Sequence, residues 1–134
     1  MDLLIKSHKH YGTLLIALVL AVIVVTLLKG PKPVFQRMVA VLVDINLVVG
    51  LAGAWLTHRP FSLLHPILAL GAVGLLHASA KSDNSAKVIR CFSIALVLLI
   101  AAWAVHASWG PSILKNVWMF NFPGSNISVA PTAQ

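Results

Sequence analysis

Charge is what this sequence has least of. Only 10% of its 134 residues are charged, and just three are Asp or Glu. A soluble domain of this length needs a charged surface of about a quarter of its residues. A single cysteine, Cys91, excludes an internal disulfide, and no CxxCH is present for covalent haem attachment. There is no Walker loop, no GxGxxG after a strand and no nucleophile with a positioned base, so a soluble-type enzyme is not expected. Ten Lys and Arg give a net charge of +7, but they sit in short connections and at run ends. Basic residues so placed act as membrane-topology signals, and no nucleic-acid partner is expected.

What is present is apolar sequence: 59% of residues are hydrophobic and the mean hydropathy is +0.92. A hydrocarbon core of about 30 Å takes roughly 20 apolar residues per helical crossing. Four such runs fit, over about residues 11–28, 38–57, 61–80 and 88–108. The first, from Tyr11 to Leu28, is closed by Lys29-Gly30-Pro31-Lys32-Pro33 and has no small-x-small cleavage site after it, so it reads as a span rather than a signal peptide. Asp44 and Asn46 interrupt the second. Pro66 falls in the first turn of the third, where a missing N–H costs little. Lys81-Ser82-Asp83-Asn84-Ser85 forms a polar turn before the fourth, and Gly110-Pro111 ends that one. The expected fold is all-α: a four-transmembrane-helix up-down bundle over residues 1–109, with an extramembrane tail over 110–134.

The connections after the first and third spans carry Lys29, Lys32, Arg37, Lys81, Lys87 and Arg90, against Lys6, Lys9, Arg59 and Lys115 on the other side. The positive-inside rule makes the richer side cytoplasmic and puts both termini outside. Tyr11, Trp55, Phe61 and Trp109 form an aromatic belt at the outer ends. In the tail, Ile113, Leu114, Val117 and Trp118 have the spacing of a short interfacial helix. The rest of the tail is expected to lack structure alone and to dock on a partner subunit.

The up-and-down path sorts the histidines. His8, His10, His58, His65 and His106 fall toward the outer side and His77 toward the cytoplasm. Interfacial histidines often do no more than reach water. His65 and His106, however, lie just inside apolar runs, where an unpartnered polar side chain is costly. Imidazoles from facing helices at one depth suit haem b, which takes one nitrogen on each face of the ring. Zinc or copper is the competing ligand. In the second span Asn46, Gly50, Gly53, Ala54 and Thr57 form a small, weakly polar stripe, suited to the edge of a flat cofactor or to close helix packing. Asp44 is a mid-span carboxylate, for which proton transfer or quinone hydrogen bonding are the functional readings.

Several of these segments resemble a family of small bacterial four-helix cytochrome-b-like membrane proteins. His8-Lys9-His10-Tyr11-Gly12 is similar to the family's HxHxG, Asp44 to Leu51 to its HIQLLIGL, and His65-Pro66 with His77 and a basic turn to its EHP, later His and basic loop. The sequence departs from the family at Leu14-Leu15 in place of Arg-Trp, at Leu64 in place of Glu, and at Asp44 in place of His. The resemblance implies an electron-transfer membrane protein and no particular reaction; the first expectation for function is a haem-b subunit of a larger membrane complex, with quinone as a candidate electron partner.

A haem iron is expected between His65 and His10, with His106 as substitute ligand, His8 turned away from it, and Asn46 and Gly50 at the ring edge. His77 lies about 18 Å further along the helix axis and is left without a histidine at its depth. The alternatives are an accessory subunit without cofactor, or one that binds chlorophyll through a single imidazole such as that of His77.

Overall fold

The computed structural model describes residues 2–57, 61–106 and 119–120. Four helices carry the fold: α1 (Asp2–Lys29), α2 (Pro33–Thr57), α3 (Leu64–Ser79) and α4 (Ser85–His106). Two residues, β1 (Phe61–Ser62), pair antiparallel with β2 (Met119–Phe120), Phe61 opposite Phe120. This part of the tail thus returns to the α2–α3 connection, where the sequence suggested no ordered element. Residues 113–118, expected as an interfacial helix, lie outside the described residues.

Local chemistry sets the helix ends. Gly30 adopts φ 77°, and its N–H donates to the Thr26 carbonyl at 3.1 Å. A glycine in that left-handed conformation closes a helix without a Cβ clash, and the two prolines that follow prevent its continuation. Pro33 then opens α2 at the position where its missing N–H would be unpaired anyway. Asn84 Oδ1 accepts from the Lys87 N–H at 3.1 Å and caps the start of α4.

Three helices, α1, α2 and α4, are long and apolar enough to cross a membrane. The helices outrun the apolar runs read from sequence, because α1 starts nine residues before Tyr11 and α2 five before Met38. In contrast, α3 is only 16 residues, about 24 Å at 1.5 Å per residue, because Phe61 and Ser62 are extended and the helix stops at Ser79.

Each helix packs on its two neighbours in the order α1, α2, α3, α4 and back to α1, so α1 and α3 stand diagonally opposed. The core is Leu15, Val19 and Val22 of α1, Val39 and Val43 of α2, Ala72 and Leu76 of α3, and Val88, Phe92 and Ala95 of α4. The same cluster combines the small Ala40, Ala72 and Ala95 with the fully buried Phe92 and Leu76. The outer surface is equally apolar: Leu27, Val48, Leu70 and Val97 are among many large hydrophobic side chains more than 40% exposed. Water would not tolerate so continuous an apolar face, whereas lipid would.

Near the α1–α2 turn, Gln36 is fully buried. With its amide turned to complement its surroundings, Nε2 donates to the Ser79 carbonyl at 3.1 Å and Oε1 accepts from the Lys32 N–H at 3.0 Å. This pins α2 to the end of α3.

Candidate functional site

Ile5, His8, Gly12, Leu15, Val19, Val22 and Thr26 recur at heptad spacing along α1, and the last four are buried. That stripe turns His8 toward the bundle. His10, two residues on and therefore about 200° around the helix, is exposed.

Two contacts on α2 fix His8. Its Nδ1 lies 3.0 Å from the Asn46 backbone carbonyl and 3.2 Å from Asn46 Oδ1, acceptors that place the proton on Nδ1. The ring lies against Gly50, where a Cβ would fall 2.6 Å from His8 Cε1 and 2.9 Å from Nδ1. Only glycine gives the imidazole that space. The small stripe on α2 therefore houses a histidine ring of α1, with Gly12 beside Asn46 and Gly53 beside Ile5.

Across the bundle, His65 in the first turn of α3 donates from Nδ1 to the Ala102 carbonyl of α4 at 2.7 Å. The rings of His8 and His65 meet edge to face, with centroids 5.9 Å apart and planes at 79°. The ring opposite His65 is thus His8, and the expected pairing of His65 with His10 is corrected: the buried phase of α1 passes through residue 8. The first span is apolar on every side, which hides that phase in the sequence. His106 is the last residue of α4, and its side chain lies outside the described residues, as does His58.

The His8 and His65 rings share a chemical arrangement. Each holds its Nδ1 against a main-chain carbonyl. A histidine that binds a metal through one nitrogen generally has the other held in this way, fixing tautomer and orientation. Among the described residues no three His, Cys, Asp or Glu side chains converge, so a metal site here has a donor pair rather than the three or four protein ligands usual for zinc.

Toward the other end of the bundle, His77 Nε2 donates to Asp44 Oδ2 at 2.8 Å. Asp44 thus has a partner on α3, and His77, expected to have no histidine at its depth, has a carboxylate partner on α2. The pairing was missed because it joins unlike residues whose shared depth depends on how far α3 extends. Asp44 Oδ1 is buried and has no hydrogen-bond partner among the described residues.

No family model, no curated protein and no solved structure matches this chain.

Proposed function

We propose that this chain is a four-helix integral membrane subunit that holds haem b between His8 and His65 and takes part in electron transfer within a larger complex. In this reading α3 is the fourth crossing, its 16 helical residues extended by Phe61–Leu63 and Ala80. The membrane is the bacterial inner membrane, with both termini outside, as the basic residues of the α1–α2 and α3–α4 turns suggest.

The observation that carries the haem reading is the paired geometry. Two histidines on diagonal helices face each other near one end of the bundle, each with Nδ1 tied to a carbonyl. Haem b held by His8 and His65 would supply reversible one-electron chemistry. The chain's own part is to fix both rings: Asn46 and Gly50 hold His8, and the Ala102 carbonyl holds His65. The resemblance to small cytochrome-b-like proteins points the same way, although Asp44 stands where that family has a histidine.

The test is the visible absorption spectrum of the purified full-length protein and of four variants. Native protein should show a low-spin haem b spectrum, lost in His65→Ala and His8→Ala but kept in His10→Ala and His77→Ala. A colourless native protein would overturn the proposal in favour of an accessory subunit. A chlorin spectrum that depends on His77 would make it a pigment-binding one.

A further inference from the structure

The Asp44–His77 pair lies where a membrane protein seldom leaves such groups. Asp44 is seven residues beyond Arg37 on α2, about 10 Å deeper along the axis, and belongs to the apolar length of that helix. Yet 47% of the His77 side chain and 35% of the Asp44 side chain are exposed. Ionisable groups within a membrane normally face the protein interior or a wet cavity, because hydrocarbon offers neither donor nor acceptor. An exposed pair at this depth points to a ligand that arrives through the lipid.

The pair offers one kind of hydrogen bond. His77 Nε2 lies 2.8 Å from Asp44 Oδ2, and Asp44 Oδ1 is buried. A carboxylate only accepts, so Nε2 carries the proton and Nδ1 presents a lone pair, with no hydrogen bond among the described residues. The carboxylate behind the ring holds this tautomer and makes the lone pair a stronger acceptor. Beside the ring the surface is open: Gly74 precedes His77 by about one turn, and a Cβ built on it would meet nothing within 4 Å. Val41 and Val48, about one turn either side of Asp44, and Leu70 on α3 are half exposed or nearly so and give the site an apolar border.

We propose that the Asp44–His77 pair binds the head group of a lipid-soluble hydroquinone, one phenolic hydroxyl donating to His77 Nδ1 while the ring lies beside Gly74. The chemistry of the site selects this occupant. An outward acceptor calls for a hydroxyl hydrogen, the depth calls for a body soluble in hydrocarbon, and the open surface at Gly74 suits a flat one. A phospholipid meets neither of the first two demands together, since its acyl chains carry no polar hydrogen and its ester oxygens only accept. The oxidised quinone has carbonyls alone and is the poorer complement to a lone pair. Neither side chain carries electrons, so the pair binds and orients the head group. The proposal adds a partner to the electron-transfer reading and rests only on the membrane placement in it, not on the haem.

The test is nuclear magnetic resonance of full-length protein with isotope-labelled histidines in lipid nanodiscs, titrated with a short-chain ubiquinol and separately with the matching ubiquinone. The imidazole signal missing from His77→Gln reports on the site. The quinol should shift it saturably, and the quinone should bind about tenfold more weakly, the worth of one good hydrogen bond. Asp44→Leu, which leaves the tautomer unheld, should weaken the quinol by a similar factor. Gly74→Leu should abolish the shift by filling the open surface, whereas Val97→Leu, on the exposed face of α4, should leave it unchanged. No saturable shift, equal binding of the quinone, or an effect of Val97→Leu as large as that of Gly74→Leu would overturn the proposal. So would an equal shift with dodecanol, which would assign the site to any hydroxyl-bearing lipid. The absorption spectrum of the same sample judges the haem separately. A colourless protein that binds the quinol sinks only the haem reading, and a haem protein without saturable binding sinks only this one.

Discussion

Gly50 decides where one imidazole can sit. Its missing side chain leaves the surface on which the His8 ring rests, and that ring's Nδ1 reaches Asn46 only from there. In Gly50→Ala the new methyl must displace a side chain rather than main chain, so the helices should persist while His8 swings away. Circular dichroism should keep its helical amplitude, and any low-spin haem spectrum should shift toward high spin as one ligand is lost. An unaltered low-spin spectrum would show that His8 is not a ligand. Gln36 is the contrasting residue, polar and buried with no visible role in chemistry. Gln36→Ala removes its hydrogen bonds to Ser79 and Lys32 and should cost about 1–3 kcal/mol, measured by denaturation in detergent micelles, with no change at the His8–His65 end.

Among the elements, α4 contributes the largest buried side chain. Phe92 is fully buried, in one core cluster with Ala40 of α2 and Ala72 of α3. Phe92→Ala should lower stability by about 3–5 kcal/mol in the same denaturation assay. A loss below 1 kcal/mol would mean that the bundle closes around the gap. The termini of α1, α2 and α4 follow from Gly30, Pro33 and Asn84, each with a reason that a sequence displays. The length of α3 does not: its apolar run covers Phe61 to Ala80, but strand pairing with Met119 and Phe120 takes the first residues. A contact with residues almost 60 positions away leaves no trace in local periodicity.

For the whole molecule, orientation is the property most directly open to test. A cysteine at Ser82, in a background with Cys91 replaced, should resist an impermeant thiol reagent in intact cells and react once the membrane is permeabilised. Rapid labelling of intact cells would reverse the topology. The helical and strongly apolar character of the chain, compatible with a membrane, was legible in its composition, where little charge is spread over many apolar residues. The diagonal placement of the first and third helices also followed from short connections between antiparallel neighbours. By itself, then, the sequence determined the apolar, helical character of the chain, its four helices and the end of the bundle toward which His8, His10 and His65 fall. Which histidine turns inward was decided only by tertiary packing. Residues 8 and 10 differ in rotational phase, and an all-apolar first span gives that phase no mark until α2 offers Gly50 as a seat. The partnership of Asp44 with His77 was settled in the same way, because a hydrogen bond between two helices depends on their relative height, which packing alone sets.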